Sequence, residues 1–317
     1  MVEASIVATF LQPSAVNVRA MALATVLLSA CNKDPEVVPD NKAPDHFGVP
    51  TVITENYVNR LFIDLLGREP LDLEMQAEVA ALEGAGLSTT SRIGLVDKLM
   101  LSNAPLADDS SYRNKYHTRQ YELFKALCLE GASDEVIDGF ISNAQQQALD
   151  DSLSGNGTGL NAANSALARL LAVKRSRVEY RDGLITVNEV MRRMVLNAVY
   201  DEINMNSFNY VNATFDNLLG RYPTNAEFEV AYAMVDAGQV GLLFGQSGQN
   251  KGDYASILTS SAEGHEGLIN WCYRTFLGRA PSSAEVFALL PGFLTDHDLK
   301  RVQRSILITD EYANIEP

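Results

Sequence analysis

The sequence predicts an all-α fold, a multi-helix array, and three observations carry that prediction. One amphipathic stretch is written three times. No run elsewhere alternates as a strand would. Glycines, prolines and Ser/Thr/Asp clusters fall where helices would stop and start. The first copy is Tyr57-Val-Asn-Arg-Leu-Phe-Ile-Asp-Leu-Leu-Gly-Arg-Glu-Pro70 and the second is Tyr210-Val-Asn-Ala-Thr-Phe-Asp-Asn-Leu-Leu-Gly-Arg-Tyr-Pro223. The third is Leu268-Ile-Asn-Trp-Cys-Tyr-Arg-Thr-Phe-Leu-Gly-Arg-Ala-Pro281. All three keep the Asn (Asn59, Asn212, Asn270), the Leu-Gly-Arg triplet and the Pro, and each has a Glu four residues further on (Glu74, Glu227, Glu285).

Taken in order, the chain opens with Arg19 before an apolar run, Ala20 to Ala30, that ends Leu27-Leu28-Ser29-Ala30-Cys31. This resembles a bacterial lipoprotein signal with its lipobox. The resemblance implies a signal peptide over 1–30 and a lipid, palmitate included, on Cys31. The run is too short for a permanent span, which needs about 20 residues. The segment before Arg19, Glu3 included, is long for such a signal, and a mis-assigned start would explain it. The alternative, an apolar helix ending in a buried cysteine, sits poorly with Asn32-Lys33-Asp34-Pro35-Glu36 directly after it. Residues 31–54 hold Pro35, Pro39, Pro44 and Pro50 among charges and read as an extended tether. Lys33-Asp34 is similar to the short charged signals that send lipoproteins to the outer face in Bacteroidetes-type bacteria. The expected address is the cell envelope, at the outer membrane, periplasmic or surface-exposed.

Residues 55–110 form the first module. Val58, Leu61, Phe62, Leu65 and Leu66 make one helical stripe, and Gly67 sits where a last turn closes at positive φ. Pro70 forbids the same helix from resuming. The corner should recur at Gly220 and Gly278, which makes Gly67, Gly220 and Gly278 one structural motif with Arg68, Arg221 and Arg279. Thr224…Glu227 and Ser282…Glu285 are capping boxes for the next helix. In the first copy Leu71 takes the cap position, leaving Asp72 and Glu74 to favour the helix electrostatically, so its corner should be the loosest. The arginines either fold back on helix-ending carbonyls or pair with the first-turn Glu, or they form an anion site. Recurrence at one local position favours the structural role. A closing helix ends at Leu99-Met-Leu-Ser-Asn103, Ile257-Leu-Thr-Ser-Ser261 and Ile306-Leu-Ile-Thr-Asp310.

These phrases resemble helical modules of bacterial phycobilisome-linker-type and related unknown-function domains, over about half of the chain. The planctomycete cytochrome-associated domain of unknown function has a similar phrase. The resemblance implies an interaction or scaffolding module without catalytic residues. No Cys-x-x-Cys-His occurs, so neither pigments nor haem follow.

Residues 111–206 read as a central helical region. Helices run from Tyr112 to Leu129, from Ser133 to Leu153, from Asn161 to Tyr180, and from a Thr186…Glu189 capping box to Met205, with a flexible turn at 154–159. Residues 207–263 are the second module, which carries a Gly-rich loop insertion at 238–252. Residues 264–317 are the third.

Chemistry is sparse. Lys251 follows Asn250 with no Ser or Thr after it, so the Gly-rich stretch fails as a phosphate loop. His46, His117, His265 and His297 lack metal spacing. The acids of Asp150-Asp151-Ser-Leu-Ser-Gly-Asn156 do not alternate as a calcium loop requires. Neither cofactor nor metal is expected. An envelope location permits a disulfide between Cys128 and Cys272, whereas their apolar neighbours favour two buried free thiols. A net charge of −15 argues against nucleic acid as a partner. The expectation is a non-enzymatic, lipid-anchored scaffold that contacts the membrane through its lipid and an envelope protein through its body. The alternative is a ligand-binding lipoprotein or envelope hydrolase with its site in the central helices.

Overall fold

The first apolar stripe becomes α1 (Thr51–Leu66), in which Tyr57, Val58, Leu61, Phe62 and Leu65 are buried. The computed structural model describes residues 49–106 and 111–315. The expected tether to residue 54 ends earlier than its prolines suggested, because Pro50 stands at the N-cap and the helix begins at Thr51. Residues 31–48 of that tether, like the signal over 1–30, lie outside the described residues.

After α1 come α2 (Asp72–Gly84) and α3 (Thr89–Leu101), which complete the first module. The central region supplies α4 (Tyr112–Cys128), α5 (Asp134–Leu153), α6 (Gly157–Arg181), α7 (Val187–Val195) and α8 (Ala198–Asn204). The second module is α9 (Ser207–Leu219), α10 (Asn225–Ala237), strands β1 (Gly241–Leu243) and β2 (Gln246–Gly248), and α11 (Lys251–Ser260). The third is α12 (Ala262–Leu277), α13 (Ser283–Asp296) and α14 (Leu299–Leu307), followed by the single turn α15 (Asp310–Ala313). The all-α array is therefore observed, with one small addition.

That addition is a β-hairpin inside the Gly-rich insertion. Gly241 pairs with Gly248 and Leu243 with Gln246. Phe244 and Gly245 both take positive φ, which gives the two-residue turn whose twist suits a hairpin. The strands are too short to show alternation, so the sequence carries little sign of them.

In each module the three helices touch one another pairwise. The modules then join into one core with the central helices. α9 packs on α12, where Gly267 permits the crossing: a Cβ there would overlap the Leu218 carbonyl oxygen. The first and third modules meet through α3 and α14 and through α1 and α15. Polar groups fix that junction. The Tyr57 hydroxyl donates to Leu307 O at 3.1 Å and the Tyr312 hydroxyl to Asp64 at 2.7 Å. Arg92 pairs with Asp310 at 2.6 Å, and Arg304 with Asp97 at 2.9 Å.

Two central details differ from expectation. The helix from Thr186 to Met205 is broken in two by Asn197, which is buried. Its amide donates to Arg193 O and Met194 O while its oxygen accepts from Val199 N and Tyr200 N. One side chain thus ends α7 and starts α8. The Thr186 capping box does not form either, because Glu189 is held by Arg192 and Arg193. In the turn at 154–159 the helix resumes by Gly157, since Asn156 caps it and is itself held by Asp151 at 2.7 Å.

Candidate functional site

The repeated residues form the same corner three times. Gly67, Gly220 and Gly278 have φ of 73°, 65° and 68°, and each N–H closes the preceding helix on a carbonyl four residues back. The following arginine then forks onto the first-turn glutamate. Arg68 reaches Glu74 at 2.7 and 2.8 Å, Arg221 reaches Glu227 at 2.9 and 2.6 Å, and Arg279 reaches Glu285 at 3.0 and 2.7 Å. Each also donates to the carbonyl of its next residue, at 2.9, 3.1 and 3.0 Å. Each guanidinium lies over an aromatic ring six residues back, Phe62, Phe215 or Tyr273, at 5.4, 5.3 and 5.2 Å.

The forks hold the Glu227 and Glu285 carboxyls down at about 2. At Glu74 burial pushes upward, but Arg68, the Leu71 N–H and the Tyr112 hydroxyl outweigh it and bring the carboxyl to about 2 as well. Leu71 has no side-chain acceptor, so only the return half of the capping box exists there, Leu71 N to Glu74 at 2.8 Å. The corner is nevertheless not loosened. Tyr112 donates to Glu74 at 2.7 Å, a contact from α4 that local sequence does not show. The arginines are therefore committed to carboxylates, Arg279 also to Glu311 on α15 at 2.6 Å, and the geometry is that of a folding motif.

Cys31 and His46 lie outside the described residues. His117 is buried on α4, and burial first, with nearby cations, pushes it down to about 4. Sequence reading missed one pairing. His265 Nε2 stands 2.8 Å from His297 Nδ1, while His265 Nδ1 contacts Ser261 O at 2.7 Å. Burial and then His297 lower the His265 pKa. The two lie 32 residues apart, and only the αL cap at His297 that ends α13 brings them together. No group of three His, Cys, Asp or Glu among the described residues converges as a metal site. Cys128 and Cys272 are buried free thiols.

Two open grooves lie on module surfaces. One, of about 570 Å³, is lined at the first corner by Leu71, Leu73, Leu106 and Tyr112. Leu71 and Leu73 are 59% and 79% exposed. The other, of about 540 Å³, runs along α9 between Phe208 and Tyr222 and is lined by Asn204, Asn209, Asn212 and Asp216.

The fold and these surfaces define a helical repeat protein with shallow faces. Comparison with protein-family models, with curated proteins and with solved structures finds no match.

Proposed function

We propose that this chain is a lipid-anchored, helical cell-envelope protein that acts by contact with another protein, and that the corner of its first module is the contact face. The observation that carries this is the pair of exposed leucines. Leu71 stands where the other copies have Thr224 and Ser282, and Leu73 where they have Ala226 and Ala284. The fold demands neither leucine, since the same corner is built without them. Contiguous exposed apolar side chains on a soluble surface mark interaction sites. The anchor comes from the lipobox at Cys31 and the outer-membrane address from Lys33-Asp34. The likeness of the Leu-Gly-Arg-x-Pro phrase to linker-type modules points the same way.

The test is a pull-down from cross-linked native membranes. The intact chain is compared with a Leu71→Thr, Leu73→Ala variant, which restores the residues of the sister copies. A protein captured by the first and lost with the second is expected. Identical capture by both would remove this face from the function.

A further inference from the structure

The three copies of the module provide an internal control, because residues that the corner requires are shared, whereas costly residues confined to one copy are not explained by the fold. Applied to the second groove, this separates its lining cleanly. Phe208 is 58% exposed, and its counterparts are Glu55 and Glu266. Tyr222 is 71% exposed, and its counterparts are Glu69 and Ala280. Asp216 stands where the others have Ile63 and Arg274. The second copy alone places two aromatic rings in water at the ends of one groove.

Between the rings runs a row of amide and carboxylate groups. Asn209, Asn212 and Asp216 are spaced i, i+3 and i+7, one stripe of α9. The Asn212 amide donates to Phe208 O at 2.9 Å and the Asn204 amide to Tyr200 O at 2.8 Å. One N–H of each amide is used in this way, so each still offers its side-chain oxygen and a second N–H. The stripe extends over about 10 Å at 1.5 Å per residue, comparable with two linked pyranose rings. Phe208 is also held in place. It meets Phe228 edge-on at 5.1 Å, and Phe228 stacks on Tyr232 at 5.7 Å, so the ring is oriented before anything binds.

We infer that this groove binds a neutral polysaccharide chain. A pyranose has apolar C–H faces that stack on aromatic rings and a rim of hydroxyls, each both donor and acceptor, which a stripe of amides and one carboxylate matches. No cation lines the groove and its one charge is Asp216, which disfavours anionic sugars and phosphates. One carboxylate is also little to hold a basic peptide. The site lies apart from the leucine face, so it can fail while the protein-contact reading stands, and the reverse.

The test is calorimetric titration of the full chain with four probes: tetrasaccharides of β-1,4-glucose, α-1,4-glucose, β-1,4-mannose and β-1,4-N-acetylglucosamine. Tetralysine serves as the basic-peptide probe. Phe208→Glu and Tyr222→Ala are the variants, and each installs a residue that a sister module already tolerates. Binding of at least one tetrasaccharide, insensitive to salt and weakened about tenfold or more by either variant while the chain stays folded by circular dichroism, is expected. Failure of all four, or binding indifferent to both variants, overturns the proposal. So does salt-sensitive binding of tetralysine alone, lost in Asp216→Asn, which would make the groove a basic-peptide site.

Discussion

Replacing the corner arginines by alanine should cost stability in an order set by how each fork is surrounded. At the second corner the Arg221 and Glu227 side chains are 41% and 20% exposed. An exposed pair contributes up to about 1 kcal/mol and the ring face about 0.5 kcal/mol more. Arg221→Ala should therefore lose about 1 kcal/mol. Glu227 would still cap Thr224 N, at 2.7 Å. At the first corner the side chains are 28% and 14% exposed, and Glu74 also holds Tyr112. Arg68→Ala should lose about 2 kcal/mol, since it leaves a largely buried carboxylate short of its cation.

Denaturant titration reads the loss, and melting should shift by about 2–4 °C per kcal/mol. The pH dependence adds a check. The paired glutamates titrate at about 2 in the folded chain and at about 4.3 when unfolded. A depressed carboxyl contributes stability that is complete above the unfolded value and is lost as pH falls through the folded one. The gap between parent and variant should thus close between about pH 4.3 and pH 2. Unchanged stability, accompanied by lost partner binding or by an anion-dependent thermal shift, would refute the reasoning and place these arginines in a site.

The corner glycines should rank by what a methyl group meets. Gly278→Ala has open space and should cost about 1 kcal/mol for the left-handed conformation alone, whereas Gly67→Ala also meets Arg119 Cδ at 3.1 Å and should cost more. Gly267→Ala should exceed both, by about 1–3 kcal/mol of overpacking where α9 crosses α12, read by the same titration. His117 titrates at about 4 when folded and about 6.5 when unfolded, so stability should fall as pH drops from about 6.5 to 4 and His117→Phe should flatten that slope. Cys31→Ser should abolish palmitate labelling and leave an unprocessed chain, and normal processing of that variant would remove the anchor from the proposed function.

Local signals were legible where the physics is local. The stripe of α1, the glycine corners, the Thr224 and Ser282 caps and the Ser133 start all depend on residues within a few positions of one another. What failed to show depends on distant partners. Asn197 divides a helix whose periodicity runs on unbroken, because its four hydrogen bonds are all backbone contacts that no pattern of side chains announces. Tyr112 supports the first corner from another helix, and His265 meets His297 only because α13 ends where it does. The hairpin gave glycines but no alternation, having three residues in each strand.

Repetition within one chain also changes what identity between copies means. The shared asparagines look functional, being polar, outward-lying and kept three times. Yet the Asn212 and Asn270 amides both donate back to the carbonyl four residues earlier, at 2.9 and 3.0 Å, so a local helix contact accounts for their recurrence and leaves the rest of the Asn212 amide to its groove. The shared Arg–Glu forks reduce to the corner in the same way. A function carried by the module as such would have to use groups left over after the corner is built, and the shared set leaves few. The departures then carry the weight. Leu71 and Leu73 in the first copy and Phe208, Asp216 and Tyr222 in the second each replace a residue with which the same backbone forms elsewhere in the chain. The sister residues are thus ready-made substitutions: each removes one proposed surface while keeping its corner intact, so loss of binding and loss of folding can be told apart at either face.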